Sequence, residues 1–240
     1  MDEQFLRCEM MLGQQAMETL SHSHVAVFGL GGVGSWAAEA LARTGVGALT
    51  LIDHDDVGLS NINRQAQANH DTLGQSKAHA LAQKLSRLAP ECELTPLVGK
   101  YSADCREDFW QDYDYVLDCI DLVSCKLDLI ETALGRNVPI LSALGTGNKL
   151  DPSRLQVSDI SKTQGCPLAR VIRKELRVRG IPHHKVVWSP ELARETTQTE
   201  APPPGRRSVP ASVMWVPASA GLLMAAVCVT DLTGIDLHAE

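Results

Sequence analysis

The sequence has no Cys-x-x-Cys pair, and its seven cysteines (positions 8, 92, 105, 119, 125, 166 and 228) are odd in number and scattered. That excludes the usual tetrahedral zinc patterns and fits free, mostly buried thiols in a reducing compartment. The N-terminus also lacks a basic stretch followed by an apolar run and a small-residue cleavage site. No secretory signal is expected, and the expected location is cytoplasmic. Aromatics are sparse at 4%, while 44% apolar and 21% charged residues are ordinary for a soluble globular protein. Positive charge is short as well: a net charge of -7 excludes a surface generally coated by nucleic acid. The shortage is uneven, because residues 161–210 carry a balance of +6, residues 1–160 carry -10 and the remainder carries -3. One basic segment on an acidic body implies a local anion-binding surface.

A chain of 240 residues can bury a substantial core as one α/β domain, and a single domain over 1–240 is expected. Residues 4–20 read as a helix, with Phe5, Met11, Leu12, Ala16 and Leu20 roughly on one side. His24-Val25-Ala26-Val27-Phe28 is a short apolar run ending in a glycine turn, the pattern of a buried parallel strand. Helices are expected over 35–44, 75–88 and 122–135, and strands over 48–52, 93–98, 115–119, 139–143 and 155–159. Strands alternating with 10–15-residue helices predict a doubly wound, mostly parallel sheet of Rossmann type. The basic segment 161–212 divides into a helix and a proline-rich loop, ETTQTEAPPPGRRSVP, expected to be mobile. The charge-free run over 213–230 is long enough to raise a membrane span. Pro217 and Ser219 near its start and Asp231 after it favour a strand over 213–216 and a buried helix over 218–232.

The chemistry starts at Gly29-Leu30-Gly31-Gly32-Val33-Gly34. Small residues let the backbone approach a phosphate, and free N–H groups at the helix start hold its charge. Asp53 follows Gly34 by nineteen residues and ends a strand, where a carboxylate can accept hydrogen bonds from ribose hydroxyls. To this point NAD and ATP fit equally well. The loop DHDDVGLSNINRQ then presents Asp55, Asn61, Asn63, Arg64 and Gln65, and Lys77 comes thirteen residues after Arg64. A dehydrogenase needs no cations here. A triphosphate does, and Arg64 with Lys77 would bind it and stabilise charge developing at its α-phosphate. Asp118 and Asp121, at the end of YVLDCID, offer carboxylates suited to Mg²⁺. Any one of these residues alone would be unremarkable, since a lone loop arginine is usually just solvated. Their shared placement at strand ends on one sheet edge is what carries the signal.

The stretch GLGGVGSWAAEALARTGVGALTLIDHDDVGLSNINRQ, with GQSKA and LDCIDLVSCK, resembles the E1-like adenylating superfamily. ALGTGNKLDPSRLQVSDISKT with GCPLARVIRKELR is similar to its tRNA threonylcarbamoyladenosine dehydratase branch. The resemblance implies that Asp53 holds the ribose, Arg64 and Lys77 the phosphates, and Asp121 the Mg²⁺ or the reacting phosphate. It also implies that Arg7, in QFLRCEMMLG, reaches the ATP of a second subunit, so that a homodimer is the active unit. The implied reaction adenylates the threonyl carboxylate of threonylcarbamoyladenosine in tRNA and then closes a ring with loss of AMP. A monovalent cation is left open. The alternative is an adenylyltransferase that activates the C-terminal glycine of a ubiquitin-like sulfur-carrier protein, because the adenylation half would be identical. Cys166, at a helix start beside Arg170, is the one cysteine placed for thioester chemistry, although a partly buried cysteine there is more often structural. In ARVIRKELRVR, Arg170, Arg173, Lys174 and Arg177 share one helical face and Leu168, Ile172 and Leu176 another. With Lys162, Arg179, Lys185, Arg206 and Arg207, this face is the candidate tRNA surface; its ordinary reading is a solvated helix face.

Overall fold

The computed structural model describes residues 3–197 and 209–237. Its helices and strands, in chain order, are α1 (Leu6–Leu12), α2 (Gln14–Ser21), β1 (His24–Phe28), α3 (Gly34–Thr44), β2 (Ala48–Asp53), α4 (Lys77–Ser86), β3 (Glu93–Val98), β4 (Tyr115–Asp118), α5 (Val123–Gly135), β5 (Ile140–Ala143), β6 (Gln156–Asp159), α6 (Pro167–Val178), β7 (Lys185–Trp188) and α7 (Trp215–Thr233). The sheet order is β3-β2-β1-β4-β5-β7-β6. All neighbouring strands are parallel except β6, which runs antiparallel to β7. This is the doubly wound sheet expected from the alternating pattern.

The strand period of two divides the core. Val25 and Val27 of β1, with Leu49, Leu51 and Leu117, pack against α2, α3, α4 and α7. Ala26 and Phe28, with Ile52 and Val116, face α5 and α6 on the other side. Both faces are covered, so the central strands read as continuous apolar runs rather than alternating ones. Chain order reverses between β1 and β4, and this opens a crevice at the carboxyl ends of those strands.

Three expectations are corrected, and one strand is added. The single helix over 4–20 is two helices broken at Gly13, whose φ of +85° does not continue a helix. The break turns the first piece outward: no residue of α1 is buried, and Met11, expected on the inner side, is 86% exposed. No strand forms over 213–216; α7 begins at Trp215 and takes Pro217 into its first turn, where a missing N–H is harmless. The strand Lys185–Trp188, unforeseen in the sequence, lies between β5 and β6. The 213–230 run is charge-free because α7 is a core helix, with Val216, Ala220, Met224 and Cys228 buried, although it is long and apolar enough to cross a membrane. The expected mobile loop lies largely outside the described residues, as do Arg206 and Arg207. Its flanks, 191–197 and 209–213, have no regular structure.

Candidate nucleotide site

The glycine turn joins β1 to α3 at the mouth of the crevice. Gly29 has φ +90°, and a Cβ there would lie 2.7 Å from the Cys119 carbonyl oxygen. At Gly34 a Cβ would fall 1.9 Å from the Gly29 oxygen. These two glycines let the turns after β1 and β4 abut. Gly31 differs, because a Cβ there would meet nothing within 4 Å. The turn is therefore closed against protein at its ends and open at Gly31, where a phosphate would approach the backbone N–H groups.

Asp53 ends β2 with its side chain buried. Its carboxylate accepts from Leu30 N at 2.6 Å and from Asp55 N at 2.9 Å. It thus fixes the glycine turn from the end of β2. Asp55 leads on to Lys77 through a short antiparallel zip: Val57 N donates to Gln75 O, Lys77 N to Asp55 O, and Asp56 bridges Ser76. As a result Lys77, only 6% exposed, donates from Nζ to Asp55 Oδ2 at 2.8 Å. The carboxylates of Asp53 and Asp55 and the ring of His54 bring their ligand atoms within 4.8 Å of one another.

Arg64 is delivered by a loop clamped to the start of α3. Trp36 Nε1 donates to Arg64 O, Ala66 N to Ser35 Oγ, and Gln67 Nε2 to Leu30 O. The Arg64 Cγ lies 3.4 Å from where a Gly32 Cβ would be, so the stem of the side chain passes beside the turn. Its Nη1 donates to Ser60 O and to Asn63 Oδ1. Asn61 holds the loop by accepting from Gly58 N, and Gln65 is buried with Oε1 accepting from Gln67 Nε2. Among the expected nucleotide-binding residues, Asn61 and Gln65 therefore support the loop.

The two aspartates after β4 part company. Asp118 is fully buried and paired at 2.7 Å with Lys126 Nζ, itself fully buried. Its other oxygen accepts from Ile120 N. Lys126 also donates to Ala143 O, tying the ends of β4 and β5 together. This corrects the expectation that Asp118 is a metal ligand: its oxygens are committed inside the protein. Asp121, three residues on, is exposed at the crevice edge, where a carboxylate can meet a hydrated Mg²⁺. Lys126 went unnoticed in the sequence because a lysine in a helix is usually solvated. Its visible signal was a charge inside the apolar run of α5, eight residues after Asp118.

The remaining candidates are peripheral in one chain. Arg7 is exposed on α1, which packs at the far end of α3: Phe5 lies beside Gly45, and the Cys8 thiol points at Arg43 O. Eleven residues of helix, about 16 Å at 1.5 Å per residue, separate that end from the glycine turn. Arg7 therefore does not reach the site of its own chain. On α6, Arg170, Lys174 and Arg177 are exposed, whereas Arg173 is half-buried and donates to Thr163 O and Oγ1. Cys166 caps the same helix, accepting from Ala169 N at 3.5 Å. Beside the turn, burial pushes the half-buried Cys119 thiol above its ordinary range, which disfavours the thiolate.

A glycine turn at the switch point of a parallel sheet, with an arginine beside it and a buried lysine nearby, defines a nucleotide-binding α/β protein. The ThiF family model matches residues 4–239, and the chain belongs to that family. It is 42% identical to the tRNA threonylcarbamoyladenosine dehydratase of Bacillus subtilis, over 95% of this chain and 94% of the relative. The sulfur carrier protein ThiS adenylyltransferase of Escherichia coli is 36% identical over 58% of this chain and 55% of its own length. The crystal structure of the E. coli tRNA N6-threonylcarbamoyladenosine dehydratase in complex with ATP superposes with a TM-score of 0.87 at 33% identity, covering 97% of this chain and 94% of that one. The AMP complex of the same enzyme gives 0.88.

Proposed function

We propose that this chain is an ATP-dependent tRNA threonylcarbamoyladenosine dehydratase acting as a single domain. What carries the reading is the likeness to the Bacillus dehydratase over nearly the whole of both chains, where the likeness to the sulfur-carrier adenylyltransferase extends over little more than half. ATP would lie along the open glycine turn, its ribose at Asp53 and its triphosphate between Arg64 and Lys77. The threonyl carboxylate attacks the α-phosphate, forming an acyl-adenylate and releasing pyrophosphate. Arg64 and Lys77 stabilise the charge that develops there, each already oriented by neighbours and so costing little reorganisation. Mg²⁺, when bound, would neutralise phosphate charge, and Asp121 is the residue we assign to it. The carbamoyl group then closes on the activated carbonyl and expels AMP. That second step is intramolecular and needs no protein nucleophile, which agrees with Cys166 acting as a helix cap.

A homodimer in which Arg7 completes the partner's site is part of this reading, since Arg7 is too far from the site in its own chain. No residue is assigned to a monovalent cation, and a cytoplasmic location is expected for an enzyme of tRNA. Arg170, Lys174 and Arg177 form the proposed tRNA-facing stripe, and Arg173 contributes by fixing the loop before α6. Removing the three exposed charges should weaken tRNA binding and reduce its salt slope by about one for each phosphate no longer neutralised.

The test is pyrophosphate exchange with two acceptors. Exchange that requires tRNA bearing threonylcarbamoyladenosine, with the cyclised nucleoside then found by mass spectrometry, is the expected result. Exchange driven instead by a diglycine-ended protein would establish the sulfur-carrier alternative.

A further inference from the structure

Asn148 stands out in the loop after β5. It is one of two non-glycine residues with positive φ among those described, at +58°. A left-handed backbone is unfavourable for most side chains and tolerable for asparagine. Its hydrogen bonds reach segments distant in sequence. Asn148 N donates to Ala211 O at 2.8 Å, and its Oδ1 accepts from Ala211 N at 2.7 Å. Its carbonyl accepts from Arg194 N at 2.8 Å. One residue therefore grips both the departing and the returning ends of the proline-rich segment.

The grip continues toward the nucleotide site. Ser212, next to Ala211, accepts at its carbonyl from Asn63 Nδ2 at 3.0 Å. Asn63 Oδ1 in turn accepts from Arg64 Nη1 at 2.9 Å. Further packing keeps the returning segment in place. Pro210 lies against Gly147, Trp215 Nε1 donates to Leu150 O at 2.7 Å, and Pro217 sits beside Gly32 of the turn. Glu191 secures the base of the loop: burial opposes its ionisation, but hydrogen bonds from the amides of Leu150 and Asp151 outweigh that and hold its carboxyl below the ordinary range.

We propose that Asn148 is a positioning residue that fixes the Arg64 guanidinium beside the glycine turn, acting through the Ala211–Ser212 backbone and Asn63. This rests on the reading of Arg64 as the group that meets the triphosphate. The geometry explains why a short side chain with an Oδ1 acceptor stands at this left-handed position. Glycine would keep the left-handed backbone and lose the Oδ1 acceptor; aspartate would keep both. A clasp that served stability alone would require no connection to Arg64, yet the side chain that bonds Ser212 O is the one that also receives Arg64.

The experiment measures pyrophosphate exchange and ATP binding for Asn148→Gly, Asn148→Asp, Asn63→Ala and Arg64→Ala and for the double variants of Asn148→Gly with each of the last two. Asn148→Gly should lower kcat about ten-fold, because sub-ångström misaiming of a group acting at the transition state is felt in rate. The KM for ATP should stay within about two-fold, and Asn148→Asp should restore the rate. In series with Asn63 and Arg64, Asn148→Gly should slow neither the Asn63→Ala nor the Arg64→Ala enzyme further. A full ten-fold additional loss in either background overturns the proposal, as does an unchanged kcat in Asn148→Gly. An Arg64→Ala enzyme with normal exchange would instead overturn the reading of Arg64, a separate outcome. Should Asn148→Gly fold poorly, amide hydrogen exchange at Ala211 in Asn63→Ala supplies the second measurement. Faster exchange there supports the linkage, and unchanged protection refutes it.

Discussion

The stretch from β1 to β5 and the stretch after it are built on different principles. In the first, the candidate site side chains are held by the loops that follow β1 and β2: Asp53 by the glycine turn, Lys77 by Asp55 across an antiparallel bridge, Arg64 by Asn63 and Ser60. In the second, the chain reverses through an antiparallel strand and returns through a long segment gripped by Asn148 before entering the apolar helix α7. The first stretch presents backbone and charge to a nucleotide common to many enzymes. The sulfur-carrier adenylyltransferase match extends over 58% of this chain and the Bacillus dehydratase match over 95%.

The contrast can be broken at Asp118 and Asp121, which are close in sequence and opposite in role. Asp118→Ala leaves the Lys126 ammonium buried without its partner and should cost about 3–5 kcal/mol in denaturant unfolding. Asp121→Ala should leave stability within about 0.5 kcal/mol and reduce exchange activity instead. Metal-dependent activity lost at Asp118 with stability intact would reverse the assignment.

A somewhat smaller effect is expected at Arg64. Arg64→Ala should lower acyl-adenylate formation about 10²–10³-fold, the range seen when one preorganised group is removed from developing charge. Its thermal unfolding should move little. If Lys77→Ala proved silent while Arg64→Ala did not, the triphosphate would lie on the Arg64 side only.

The last effect is in the later stretch and is confined to acid pH. His184 is buried beside Ser142, its Nε2 2.7 Å from Ser142 Oγ. Burial first, and the positive Lys126 second, hold its pKa down to about 4 from the ordinary 6.5. The folded state therefore prefers the neutral ring, and the unfolded state binds the proton more readily below pH 6.5. Stability from this group is complete above that pH and falls as the pH drops toward 4, by at most about 1.4 kcal/mol per unit. His184→Gln should flatten that part of a stability-against-pH curve. An unchanged slope would mean that other groups govern acid sensitivity.

Much of the fold was legible because parallel strands buried on both faces must be apolar runs, and those runs are punctuated by Gly29, Gly45 and Pro90. The short strand Lys185–Trp188 was not, since four residues after a basic helix carry too little period to separate strand from loop. The helix break at Gly13 and the helical start at Trp215 were also hidden, because local pattern allowed either reading and packing chose. At the site, the candidate residues were visible as types at strand ends, but the burial that separates Asp118 from Asp121 was not.

The sequence by itself determined the doubly wound core, the glycine turn and the set of charges suited to an adenylated intermediate, because these depend on period, backbone freedom and charge count. Only the tertiary structure decided that Asp118 belongs to a buried pair, that Arg7 stands a helix length from its own site, and that Asn148 joins the returning chain to Arg64. Those outcomes turn on which distant groups meet once the sheet has closed, and no local pattern specifies desolvation or a long-range hydrogen bond.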